Sequence, residues 1–230
     1  MAKDANPVSL STRIDGAVAE RTMLSHPFYQ AWSEGRLTQS MLGDYAAQYF
    51  HHVEAFPRAV SAVHTNCPDR DGRRMLAENL AEEEGLGEGK TDHASLWLDF
   101  ATGLGVDEDA VRAVALNPET EALIVAFSSL SRKSYAAGLG ALYAYESQLP
   151  DVATTKIEGL DRFYGVRDQD TIRFFTVHEA ADVEHAEVCR RLIDALPADQ
   201  RDEAEDAAKA LADALRGFLT GMQRECRLNA

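Results

Sequence analysis

Cysteine is scarce in this chain. Cys67, Cys189 and Cys226 are the only three in 230 residues, an odd number, far apart, with no C-x-x-C pair among them. Disulfide staples and a structural thiolate zinc site are therefore excluded as organising features, and each cysteine reads as a small core or surface residue. Basic charge is also short. With 23 Lys and Arg against 38 Asp and Glu the net charge is −15, which argues against a nucleic-acid partner, because phosphate binding needs basic patches. The acidity fits a soluble protein and, more weakly, a salt-adapted source. No uncharged apolar run approaches the length of a membrane span, and the opening residues MAKDANPVSL lack the apolar core of a secretory signal. The expectation is a soluble, cytoplasmic protein with no membrane association. Strand-like alternation is nowhere sustained, and there is no internal repeat, low-complexity tract or interdomain linker. Residues 1–230 thus read as a single domain.

What is present is helix, almost throughout. A first helix starts after Ser9 or Ser11 and runs to about Leu24. Pro27 suits a first helical turn and Gly35 an end. Thr38 caps a long helix through Ala62, kinked or restarted at Pro57. Arg70 to Glu84 forms another, and the three glycines of GLGEGKTD break it. Asp92 caps the next, Asn117-Pro118-Glu119 opens a single long helix closed by Pro150, and a shorter one carries DVATTKIEGLDRFYG. Asp168 or Asp170 begins a helix that extends to about Leu196. The last, from Asp199 to Cys226, is Ala-rich and charged and reads as an outer bundle helix or an interaction arm. The sum is an all-α bundle of about eight helices.

The stretch IRFFTVHEAADVEH, from Ile172 to His185, carries the strongest chemical signal. His178, Asp182 and His185 stand at i, i+4 and i+7 on one helical stripe, close to the line of Ile172, Phe175 and Cys189. Two imidazoles and a carboxylate turned inward are costly unless paired. A lone histidine there would read as a core residue satisfied by hydrogen bonds. The triplet reads as ligands for a first-row transition metal.

Other helices must complete such a site. Glu146 follows Leu139, Leu142 and Tyr143 on an inner stripe and is the only acid between Glu121 and Asp151. The alternative is a boundary residue exposed near Pro150. Of Glu82, Glu83 and Glu84, Glu83 is the best inner position, at i+7 from Leu76 and i+3 from Leu80. His93 lies ten residues on, about 15 Å away in an unbroken helix, but the glycines let the chain fold back. Glu83, His93, Glu146, His178, Asp182 and His185 together suit two carboxylate-bridged ions, with iron or manganese favoured over magnesium and calcium. Only Asp182-x-x-His185 has the carboxylate-x-x-His spacing of ferritin-like bundles, so that arrangement fits poorly.

HPFYQAWSEG, YAAQYFHHVEAFPR, NLAEEEG with HASLW, ALYAYESQLPDVATTKIEGL and VHEAADVEHA together resemble the haem-oxygenase-like di-iron oxidases. Within these they are closest to the group named for the chlamydial protein associating with death domains, the CADD-like group. The likeness covers about residues 20 to 195, in order. The same superfamily holds thiaminase-like (TenA-like) proteins and the cofactor-free (PqqC-like) oxidase that finishes pyrroloquinoline quinone. The resemblance implies a haem-oxygenase-like, TenA-like fold and metal ligands at the six residues above. It also implies formation of para-aminobenzoate for folate, in which a tyrosine of the protein supplies the ring and a lysine the amine. The matching residues are Tyr29 and Lys156, and Tyr45 and Tyr145 match flanking tyrosines that relay an electron or a radical. One departure is the stretch between Glu83 and His93, which is longer than the family segment and glycine-rich.

On their residues alone Tyr45 and Tyr145 read equally as core aromatics and Lys156 as a surface lysine, while His51, His52 and His64 read as surface or packing residues. The expected cofactors are two transition-metal ions, Fe/Fe or Mn/Fe, and the expected partners are O2 and an external reductant, with a homodimer left open. A second reading keeps the fold but oxidises an external amino acid or fatty acid, the tyrosines being spectators. Thiaminase-like hydrolysis would need a pocket cysteine, and none occurs between Cys67 and Cys189. A cofactor-free oxidase is disfavoured by six placed ligands. A non-enzymatic reading is a death-domain-type binding protein that engages a protein partner through the last helix.

Overall fold

The computed structural model describes residues 8–228, and for residues 180–184 the backbone alone. Its helices begin where short polar side chains accept orphan amide protons. Ser9 caps α1 (Leu10–Ala19) at the Thr12 amide, and Pro27 opens α2 (Pro27–Ser33). Thr38 caps α3 (Gln39–Asn66) and Asp69 caps α4 (Arg70–Glu83). Asp92 caps α5 (His93–Gly103), and Asp107 caps α6 (Glu108–Ala113). Asn117 caps α7 (Pro118–Lys133), and Ser134 caps α8 (Tyr135–Glu146). Then come α9 (Leu149–Gly159), continued by a π-turn over Leu160–Tyr164, α10 (Gln169–Asp194) capped by Asp168, and α11 (Arg201–Glu225).

The described residues therefore hold eleven α-helices rather than about eight. The expected single helix from Asn117 to Pro150 is two. Ser134 is extended (φ −159, ψ 169) and its hydroxyl accepts from the Ala137 amide, so α7 ends where α8 starts. The first helix stops at Ala19, and a separate 3-10 turn follows at Met23–Ser25. In the other direction, α3 runs through Pro57 to Asn66 without a restart. Buried residues on both sides of Pro57 hold the helix despite the missing amide donor.

The last helix is not an arm. Leu211, Leu215, Phe218, Leu219 and Met222 are covered, and α11 lies along α8 and against α7 and α1. Its alanines bring the backbones close: a Cβ at Gly140 of α8 would collide with the backbone of Ala204. One continuous apolar cluster, with Trp32, Trp97, Phe28, Phe50 and Phe100 fully covered, joins the helices. Among the described residues no helix is long and apolar enough to cross a membrane. For the site, what matters is that α4, α5, α8 and α10 pack so that four inner stripes face one region. Around it α3 supplies Tyr45 and Tyr49, α2 supplies Tyr29, and α9 supplies Lys156.

Candidate metal centre

Glu83 closes α4 and His93 opens α5. The intervening chain turns back through Gly85, Gly87 and Gly89, all at positive φ, and brings His93 Nδ1 to 2.7 Å from Glu83 Oε2. The longer loop therefore keeps His93 at the site. From α10, the His178 ring lies 4.4 Å from that of His93, tilted by 53°. Its Nδ1 donates to the Phe174 carbonyl at 2.6 Å, so Nε2 is the nitrogen that would coordinate a metal. Glu83, His93 and His178 are buried, and each offers a ligand atom within 4.8 Å of the others.

Glu146 and His185 stand beside this cluster rather than in it. Glu146 is 1 % exposed; its Oε1 accepts from Asn79 Nδ2 at 2.7 Å and its Oε2 from the Cys189 thiol at 3.0 Å. His185 Nε2 lies 2.8 Å from Glu82 Oε2. Asp182, one turn beyond His178, lies outside the residues whose side chains are described. Burial pushes the Glu83 carboxyl up to about 8, with His185 opposing and Glu82 and Glu84 adding to the rise. Burial raises Glu146 as well, opposed by His185 and by the Cys189 and Asn79 hydrogen bonds, while Glu83 adds to the rise. Carboxylates crowded together out of water favour their charged form only when a cation is supplied. The donors fit that cation: imidazole and carboxylate from α4, α5 and α10, with the carboxylate of α8 alongside, are the set that holds iron or manganese.

A second buried cluster adjoins the first. Lys156 Nζ donates to Tyr45 Oη, and Tyr45 and Tyr29 share a hydrogen bond of 2.9 Å. The ammonium position lies 4.4 Å from the Tyr45 ring centre, 4.9 Å from that of Tyr29 and 5.3 Å from that of Phe175. Desolvation drives its pKa well below 10.5; the ring faces favour the cation by about 2 kcal/mol, less than the several kcal/mol that burying a charge costs. Burial thus favours the neutral form of the Lys156 amine, which sits among neutral phenols, those of Tyr29 and Tyr45 being raised well above 10 by burial. Tyr145 Oη bonds Tyr49 Oη at 3.0 Å. A cavity of about 10 Å3, lined by buried residues that include Lys156, Tyr145, Trp97, Phe174 and His178, joins the two clusters. It has room for about one water-sized molecule.

Several partners escaped sequence reasoning. Asn79 and Cys189 hold Glu146, Glu82 holds His185, and Tyr49 links Tyr45 to Tyr145. Asn79 lies four residues before Glu83, and Cys189 four after His185, so each shares a ligand stripe. That spacing was the available signal.

A helical bundle that converges buried carboxylate and imidazole groups beside caged aromatic side chains is the architecture of a metal-dependent oxidoreductase. Residues 43–218 match the family model for iron-containing redox enzymes, and the chain belongs to that haem-oxygenase-like family. It is 38% identical to the 4-aminobenzoate synthase of Chlamydia muridarum over 90% of this chain and 87% of that one. It is 39% identical to the 4-aminobenzoate synthase of Nitrosomonas europaea over 91% of this chain and 89% of that one. The fold is also that of a CADD-like protein from Nostoc punctiforme, with a TM-score of 0.79 at 20% identity over 94% of this chain and 96% of that one.

Proposed function

We propose that this chain forms para-aminobenzoate for folate synthesis, in the cytoplasm, through an O2-dependent dinuclear iron or manganese–iron site. In this reading Tyr29 supplies the ring and Lys156 the amine. The observation that carries it is the seating of Lys156: a buried amine, bonded to Tyr45 and through it to Tyr29, sharing a cavity wall with the metal-cluster residue His178. The Cβ and ring of a tyrosine are the carbon skeleton of a para-substituted benzoate, and the phenol oxygen marks the position the amine takes. The 4-aminobenzoate synthases among the relatives support the same product.

The residues divide the work. Glu83, His93 and His178, with Glu146, Asp182 and His185, would hold the ions. The chemistry supplied by bound iron, or by manganese with iron, is reduction of O2 with electrons from an external reductant. Neutral Lys156 keeps the lone pair that bond formation to a ring carbon requires. Tyr45 fixes both the amine and the Tyr29 hydroxyl, and the Tyr45–Tyr49–Tyr145 array, stacked at 5.6 Å and bonded at 3.0 Å, offers an oxidisable path between cage and ligands. Trp97, Phe174 and Phe175 line the cavity with apolar surface and leave it room for little more than one water-sized molecule.

The test is intact mass and peptide mapping of the metal-loaded chain after exposure to O2 and reductant. The expected outcome is para-aminobenzoate together with loss of side-chain mass at Tyr29, both abolished in Tyr29→Phe. Product released from a chain of unchanged mass would transfer the reaction to an external substrate.

A further inference from the structure

Beside the ligand cluster, and resting on the metal-site reading above, a cleft of about 200 Å3 runs between α4 and α10. Its wall includes Met75, Glu78, Asn79 and Glu82 from one helix and His185 and Cys189 from the other. These are positions i, i+3, i+4 and i+7 of α4 facing i and i+4 of α10, so one stripe of each helix forms the wall. We infer that this cleft is the uptake route for divalent transition-metal ions, with Glu82 as a transfer ligand that passes each ion to His185.

The donors are graded in depth. Glu78 is exposed at the mouth. The Glu82 side chain is 37% exposed, that of His185 9%, and Glu146 behind them 1%. Glu82 already touches the expected receiving ligand, Oε2 to His185 Nε2 at 2.8 Å, while its Oε1 accepts from Lys90 at 2.8 Å. It therefore reaches inward without being buried.

A second, independent feature points to a cation. Asn79 is buried and lines the cleft, its Nδ2 is committed to Glu146, and its Oδ1 has no hydrogen-bond partner. A buried acceptor without a donor is a group that a passing ion satisfies. The chemistry of the wall also selects. The imidazole beside carboxylates suits iron or manganese, and the thioether and thiol on the wall give nothing to magnesium and calcium, which take all-oxygen sites. Exposed carboxylates at a mouth concentrate cations locally. Lys90, on the glycine turn that returns the chain to His93, neutralises part of that attraction and so sets its strength.

The experiment mixes metal-depleted full chain with Mn(II) and follows loss of the free-ion EPR signal with time, with bound metal at saturation measured by elemental analysis. Glu82→Gln is expected to slow uptake by about tenfold and Glu78→Gln by less, while Lys90→Ala accelerates it. Saturating stoichiometry stays at the wild-type value in all three, and far-UV circular dichroism confirms folding. Glu54→Gln, an exposed acid on α3 outside the cleft, keeps the wild-type rate. Uptake by Glu82→Gln as fast as by Glu54→Gln overturns the route. A lower final stoichiometry in Glu82→Gln overturns the transfer role, because Glu82 is then a resident ligand. Wild-type chain that takes up no ion sinks the metal site itself, an outcome distinct from both.

Discussion

The interior contains two buried polar clusters built on opposite principles. Around Glu83, His93 and His178, carboxylates and imidazoles crowd together, and burial raises the Glu83 carboxyl to about 8. Around Lys156, a single amine is silenced by burial and enclosed by aromatic rings and neutral phenols. Added positive charge would relieve the crowded carboxylates of the first cluster, whereas the second gathers no opposing charge. One therefore reads as a place to hold an ion, the other as a place to hold a nucleophile dry and unprotonated. They share a cavity wall, from Lys156 to His178, through which they would act as parts of one site.

Substitution should separate the two. His178→Ala has the largest expected effect: loss of at least one ion per chain after anaerobic loading, by elemental analysis, with loss of product. Lys156→Met should abolish product but leave metal content intact. It should raise apo-protein stability by about 1–3 kcal/mol, because a buried amine gives way to an apolar chain of similar length. Thermal melting checks the second result. A fall in both melting temperature and metal content would mean that the cage supports the ligands, and the contrast would collapse.

Much of this was legible in the sequence, for physical reasons. Helical period and polar caps at Ser9, Thr38, Asp92, Asn117 and Asp168 are local, so the all-α reading and most helix starts follow from neighbours alone. The break at Ser134 was not legible, because Leu130 to Leu142 keeps its helical composition across it and one serine hydroxyl decides. Glu83, Glu146 and the 178–185 stripe stood out as acids and histidines on apolar faces. Tyr29 and Lys156 did not: nothing in their spacing distinguishes them from a core tyrosine and a surface lysine, and resemblance alone carried them. Asn79 and Glu82 were missed because their partners, Glu146 and His185, lie 67 and 103 residues away. A hydrogen bond between distant segments leaves no periodic trace.

A smaller effect tests the support of the metal side alone. Asn79 and Cys189 orient Glu146 from opposite oxygens. Asn79→Ala removes one of these bonds and the amide oxygen on the cleft wall, so metal affinity should weaken by about tenfold. Competition with a metallochromic chelator measures it. Phe163→Ala, on the exposed ring of the π-turn, should leave affinity unchanged.

The smallest expected effect lies in a third kind of buried group, a base that is neither paired to an ion nor caged for chemistry. His52 is 1% exposed, stacks on Phe127 at 5.7 Å and meets Tyr145 edge-on at 5.1 Å, and its Nε2 has no hydrogen-bond partner. Burial lowers its pKa from 6.5 to about 3. Between those values the unfolded chain binds a proton that the folded chain refuses, so stability falls as pH drops below about 6.5. The loss attributable to His52 between pH 7 and pH 5 is about 2 kcal/mol. His26, lowered to about 4, acts with the same sign and persists in either protein. His52→Phe preserves the stack on Phe127 and removes the titrating nitrogen, so its urea midpoint should drop less over that interval than the wild-type midpoint does. Parallel pH profiles for the two proteins would show that His52 takes up its proton without unfolding, and that this part of the core tolerates a charge which the Lys156 cage excludes.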